Sequence, residues 1–135
     1  MIARRYQDLI AWQLADELKR EVYALVDTTT AATDFEFRDQ IKESASAAPT
    51  NISEGFGYYE HPQFAKHVRI ARSELNETHN HLGDGVARRH WTFERVGGLQ
   101  LLANRAAGAC TGLLRHLTTT DAPSSWGEKK KRQKR

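Results

Sequence analysis

A proline set inside a helical repeat of small residues, in the stretch FRDQIKESASAAPTNISEGF from Phe37 to Phe56, limits how this chain can fold more than any other feature. Phe37, Ile41, Ala45, Ala48 and Ile52 recur at three and four residues and share one helical face. Ser44, Ala45, Ser46, Ala47 and Ala48 fill the middle with small side chains, which let a second helix come close. Pro49 removes a backbone donor and predicts a kink that displaces the turn before it. Thr33, three residues ahead of Glu36, has the form of a capping box, so the helix is predicted to begin near Asp34. Gly55 is predicted at the left-handed position after the last turn. A kinked helix with a closely packing centre needs neighbours shaped to it, so it is predicted to be the centre of the fold.

The other helices follow from the same periodicity. Leu9, Trp12, Ala15, Leu18, Val22 and Leu25 make an apolar stripe over about residues 7–26, with Asp16, Glu17, Lys19, Arg20 and Glu21 on the solvated face. The second helix is predicted over 35–54. A glycine-aromatic turn, Gly55-Phe56-Gly57-Tyr58-Tyr59, follows; it lacks the Gly-Lys-Ser/Thr ending of a phosphate loop and is read as packing onto the core. The third helix is predicted from Pro62, with His61 at the cap, to about Arg89. Its stripe of Phe64, Val68, Ala71, Leu75, Thr78 and Leu82 keeps a seven-residue repeat, which favours left-handed bundle packing. The fourth opens at Thr92 and runs over about 93–117 on Leu99, Leu102, Ala106, Cys110, Leu113 and Leu117. Gly97, Gly98, Gly108 and Gly112 each cost up to ~1 kcal/mol there relative to alanine, which points to close contact with another helix. Four stripes on short loops predict an all-α, antiparallel up-down-up-down four-helix bundle over 1–117, followed by a disordered basic tail over 118–135.

The 135 residues suffice for one domain, and no apolar run reaches the ~18 residues needed to cross a bilayer. The start of the chain lacks the apolar region of a secretory signal, and Cys110 is the sole cysteine, so a cytoplasmic protein without membrane contact is expected. Cys110 falls on an apolar stripe and reads as a core filler rather than a nucleophile.

Charge is distributed unevenly. Residues 1–84 carry nine basic against fourteen acidic residues, while residues 85–120 carry Arg88, Arg89, Arg95, Arg105 and Arg115 against Glu94 alone. The end of the chain adds Lys129, Lys130, Lys131, Arg132, Lys134 and Arg135. These basic residues are the candidate contacts to RNA or DNA phosphates, since backbone contacts need charge without base reading. The competing reading pairs the arginines with helix ends and with the acidic excess of the first three helices.

Other chemistries find less. Glu60, His67, Glu74 and His81 share a heptad position, but successive members lie about 10 Å apart along a helix, too far for one ion. Glu77 and His81 form half a site at most, and the Glu-x-x-His repeat of di-iron bundles fails, with Glu77 following Glu74 and Asn80 following Glu77. Ser44, Ser46 and Ser53 lack a nucleophile elbow. No metal, cofactor or catalytic residue is assigned.

Three segments carry a family resemblance: YQDLIAWQLADELKREVYALV, RDQIKESASAAPTNISEGFGYY and PQFAKHVRIARSELNET. Together they resemble the four-helix-bundle proteins encoded in intervening sequences of bacterial 23S ribosomal RNA genes, over roughly residues 6–117. The most specific piece is Gln40-Ile41 followed by Asn51-Ile52-Ser53-Glu54-Gly55-Phe56. The resemblance implies a homopentameric, barrel-like assembly without known enzymatic activity. It also implies the fold of accessory proteins of diversity-generating retroelements, which bind nucleic acid and a reverse transcriptase. Gln40, Pro49, Asn51, Ile52, Glu54 and Gly55 are read as a structural motif, with Asn51 and Glu54 bonding backbone groups freed by Pro49. The glycine-rich last helix and the basic tail depart from the family pattern. Two functions follow: an oligomeric, non-enzymatic nucleic-acid-binding accessory that assists a reverse transcriptase, or a protein-protein adaptor or scaffold with no nucleic-acid role.

Overall fold

The computed structural model describes residues 3–58 and 60–119. Four helices carry the described chain: α1 (Ile10–Asp27), α2 (Phe35–Phe56), α3 (His61–Ala87) and α4 (Phe93–Thr119). Short 3-10 turns over Tyr6–Asp8 and Thr30–Thr33 precede α1 and α2. Among the described residues there is no strand, and no helix is long and apolar enough to cross a membrane.

Each helix packs on two others, α1 on α2, α2 on α3, α3 on α4 and α4 on α1, which leaves α2 and α4 at opposite corners. Cross-helix contacts fix the register. Phe37 meets His81, Ser44 bonds Thr78, Asn51 bonds His67, and Gly55 lies against Phe64, so numbers rise on α2 as they fall on α3. Gly83 against Gln100 and Arg72 on Thr111 show the same opposite order for α3 and α4.

The stripes close into one core. Ala15, Leu18, Val22 and Leu25 of α1, Ile41, Ala45, Ala48 and Ile52 of α2, and Phe64, Val68, Ala71 and Leu75 of α3 are buried, as are Leu102, Ala106 and Cys110 of α4. Burial at ~25 cal/mol per Å² of apolar surface is the main force holding them. Leu9 and Trp12 pack at its edge, and on α4 Leu114 is buried while Leu113 is only partly so. A 2.8 Å hydrogen bond between buried Ser44 and Thr78 cross-links α2 and α3 inside the bundle.

Several boundaries differ from the expectations, each for a local reason. Residues Tyr6–Asp8 do not join α1, because the Asp8 carboxylate accepts the Arg4 and Arg5 N–H groups and holds a separate turn. α2 has no capping box: Thr33 turns its hydroxyl back to the Thr30 carbonyl, and the Asp34 carboxylate at the cap is taken by His90 and Arg88. Pro49 is buried inside an α2 that runs on to Phe56. Gly55 is therefore inside the helix, and among the described residues no glycine has positive φ. α3 begins at His61 with Glu60 as its cap and ends at Ala87 rather than Arg89. α4 includes Thr118 and Thr119, which the expected tail had claimed; Thr118 donates to the Leu114 carbonyl.

Candidate nucleic-acid interface

The predicted arginines fall into three groups. Arg88 is committed within the chain. Its guanidinium donates to Asp84 at 2.8 Å and Asp34 at 3.0 Å and lies 5.1 Å over the Phe37 ring. Those carboxylates push its pKa further up. This outcome matches the competing expectation of ion pairing, for this arginine.

Arg89 closes α3. It has φ 65°, and its N–H donates to the Val86 carbonyl while the His90 N–H donates to Gly85. That pair of reverse bonds is the left-handed helix end that usually takes glycine. With the backbone so turned, the Arg89 side chain is exposed. Arg95 lies one turn into α4, its N–H donating to the Thr92 hydroxyl, so Thr92 caps α4 as its sequence position predicts.

Arg105 and Arg115 lie on the outer face of α4, both exposed. Among the described residues Arg89, Arg95, Arg105 and Arg115 form no ion pair. Lys129, Lys130, Lys131, Arg132, Lys134 and Arg135 lie outside the described residues.

At the end of the bundle where α3 turns into α4, Val86, Arg89, His90, Trp91, Thr92, Phe93 and Glu94 line an open groove of about 520 Å³. Phe93 is 66% exposed, and Phe35 at the start of α2 is 63% exposed, with the Arg38 guanidinium 4.9 Å over its ring. Arg38 is paired with Asp39 at 2.9 Å, so the exposed aromatic beside a cation free of ion pairs among the described residues is Phe93 with Arg89, the combination a stacked, single-stranded nucleic acid uses. The floor of this end is closely packed. Trp91 lies flat on Gly85 and donates from Nε1 to the Leu82 carbonyl at 2.8 Å. His90 donates from Nε2 to Asp34 and shares a hydrogen bond through Nδ1 with Thr30, each 2.8 Å, tying the α3–α4 turn to the loop before α2. The His90 bond, and next the Arg88 bonds, hold the Asp34 carboxyl below its ordinary value of 3.8. Sequence reasoning missed Trp91, His90 and Asp34.

The Gln40–Gly55 motif lies elsewhere, at the α2–α3 crossing. A Cβ at Gly55 would stand 2.7 Å from His67 Cβ and 2.9 Å from Phe64, so glycine here permits close approach of two helices. Asn51 donates to the Ala47 carbonyl and bonds His67 at 3.2 Å. The carbonyl freed by Pro49 belongs to Ala45, four residues before it, so Asn51 does not take the predicted role. Glu54 is exposed at 4.0 Å from His67, and Gln40 donates to Glu36 at 3.4 Å. Ile52 is fully buried. Among the described residues no three histidine, cysteine or carboxylate groups gather to hold a metal ion.

The fold defined by these contacts is a small all-α four-helix bundle. The family model of the 23S rRNA-intervening sequence protein matches residues 7–109, and the chain belongs to that family. No curated protein matches it.

Proposed function

We propose that the protein is a non-enzymatic, oligomeric nucleic-acid-binding accessory that holds RNA or DNA through its phosphates. The observation that supports this reading is the groove at the α3–α4 turn, where exposed Arg89 and Phe93 stand together, with exposed Arg95 two residues further along α4 and outside the groove lining. Phosphates would meet the arginines and an unpaired base would stack on Phe93, a mode that tolerates any sequence. Arg88 contributes little, since its charge is already met by Asp34 and Asp84. In a closed homo-oligomer, such as the pentamer that the family resemblance implies, the groove repeats and a modest charge per subunit becomes a large field. The same resemblance names a reverse transcriptase as the enzyme assisted.

The test is binding to a single-stranded RNA and to a DNA duplex over a salt series, with the full chain and with a chain ending at Thr120, while light scattering records mass. Retained binding by the shorter chain, with log affinity falling steeply against log salt, supports the folded body as the site. Binding that vanishes with the tail, or is absent at low salt, favours the second reading. That reading is a protein-protein scaffold, and the outer face of α2 favours it, with Glu36, Asp39, Glu43 and Glu54 exposed.

A further inference from the structure

Most polar groups that line the groove at the α3–α4 turn are already engaged inside the protein. His90 uses both ring nitrogens, Nε2 on Asp34 and Nδ1 with Thr30. Trp91 donates Nε1 to the Leu82 carbonyl, and the Thr92 hydroxyl accepts the Arg95 N–H. Arg89 and Glu94 are what remains. Both are exposed, and neither makes an ion pair or a side-chain hydrogen bond among the described residues. The Phe93 ring, 66% exposed, lines the groove with them.

Glu94 is out of place in a groove that takes phosphate alone, because its charge repels the backbone that Arg89 attracts. Its position in the first turn of α4 suits the helix dipole. Yet Arg95 is the next residue of the same helix and carries the opposite charge, so the dipole does not dictate the charge at this end. A carboxylate beside a bare aromatic face has a use when the ligand is a flat ring with N–H donors on its edge.

We infer that the groove holds one unpaired guanine of a bound strand. The base stacks on Phe93, its Watson–Crick edge donates to the Glu94 carboxylate, and a flanking phosphate meets Arg89. This rests on the nucleic-acid reading above and names the base that the site takes.

The choice of base follows from the carboxylate, which when ionised only accepts, through two oxygens side by side. Guanine offers two parallel donors, the ring N1–H and the exocyclic amino group. Adenine and cytosine each offer one amino group beside a ring nitrogen that accepts, and uracil offers one ring N–H between two carbonyl oxygens. With those three bases the second carboxylate oxygen faces a lone pair. Pairing in a duplex covers the same edge, so only a single strand is read in this way. The volume of about 520 Å³ falls within the range of small-ligand pockets. An arginine of a protein partner would also stack on Phe93 and pair with Glu94, but Arg89 in the same groove repels it.

The assay is binding of the full chain to short fluorescent oligouridines that differ in one central base, at one salt concentration and with particle mass recorded. The basic residues at the end of the chain act equally on every oligomer, so the affinity ratio isolates base choice. A central guanine should bind about five- to tenfold more tightly than adenine, cytosine or uracil, the lower part of the range for a bidentate pair because the groove is open. Inosine, which lacks the amino group, should fall between, and annealing the complementary strand should abolish the difference. Glu94→Gln should bring the ratio near one and raise affinity for plain oligouridine, since a charge that repels phosphate is gone. Equal affinity for all four bases in the wild-type chain would overturn the inference and leave the nucleic-acid reading standing. So would a guanine preference that survives Glu94→Gln. Absence of binding to every oligomer at low salt would remove the nucleic-acid reading and the inference together. An arginine-rich peptide that binds the wild-type chain but not Glu94→Gln, without any base preference in RNA, would overturn the inference and assign Phe93 and Glu94 to a protein partner.

Discussion

Replacing Gly85 by alanine tests how the end of the bundle is built. An alanine Cβ would stand 2.2 Å from Trp91 Cζ2 and 2.3 Å from Cε2. Ordinary carbon contact begins near 3.5 Å, so the indole must move by about 1.3 Å. Trp91 is only 7% exposed and its Nε1 bonds the Leu82 carbonyl, so a shift of that size breaks the bond inside the core. Forcing extra volume into a packed site costs about 1–3 kcal/mol, and leaving a buried donor unpaired costs a similar amount. Alanine returns about 1 kcal/mol of helix propensity. The balance is a loss near 3 kcal/mol. Gly83 is the control two residues away, since its Cβ would make an ordinary 3.6 Å contact with Gln100. Gly83→Ala should therefore stabilise by up to ~1 kcal/mol. Urea unfolding at one fixed protomer concentration, followed by circular dichroism and tryptophan fluorescence, reads both. A Gly85→Ala protein as stable as the wild type would refute the packing argument.

Three further outcomes follow from particular residues. Arg89→Gly should stabilise the chain by about 1 kcal/mol in urea unfolding, because Arg89 is held at φ 65° where glycine is unstrained, and it should weaken RNA binding at the same time. Asp34 is held below 3.8 in the folded chain, so its share of stability is fully present above that value and is lost as pH falls through the lower folded value. Asp34→Asn should flatten the acid limb of the stability curve below about pH 4, measured by urea unfolding at stepped pH. Burial pushes the Cys110 thiol up to about 11, so the native chain should resist an aromatic disulfide reagent at pH 8 and react once unfolded in urea.

How much of this could be read beforehand depends on how far each residue's role is local. The apolar stripes were legible, because a residue such as Ile41 or Val68 needs only its helical phase to be placed in the core. Thr92 was legible as a cap for the same reason. Gly55 and Gly85 were not, since a glycine's purpose is set by what approaches it, here His67 and the Trp91 ring. Asp34 illustrates a second limit. Its position suits a helix start, yet its carboxylate is claimed by Arg88 and His90, more than fifty residues later in the chain. The candidate interface was half legible. Composition marked α4 as basic, but only the fold separates the engaged Arg88 from Arg89 and Arg95, and brings Arg89 and Phe93 to one groove.

The most direct test of the account is the salt dependence of single-stranded RNA binding for the wild-type chain and the Arg89→Ala/Arg95→Ala double variant, at equal particle mass. If these arginines contact two phosphates, affinity should fall and the slope of log affinity against log salt should become shallower by about 1.4. A variant with the wild-type affinity and slope would contradict the account.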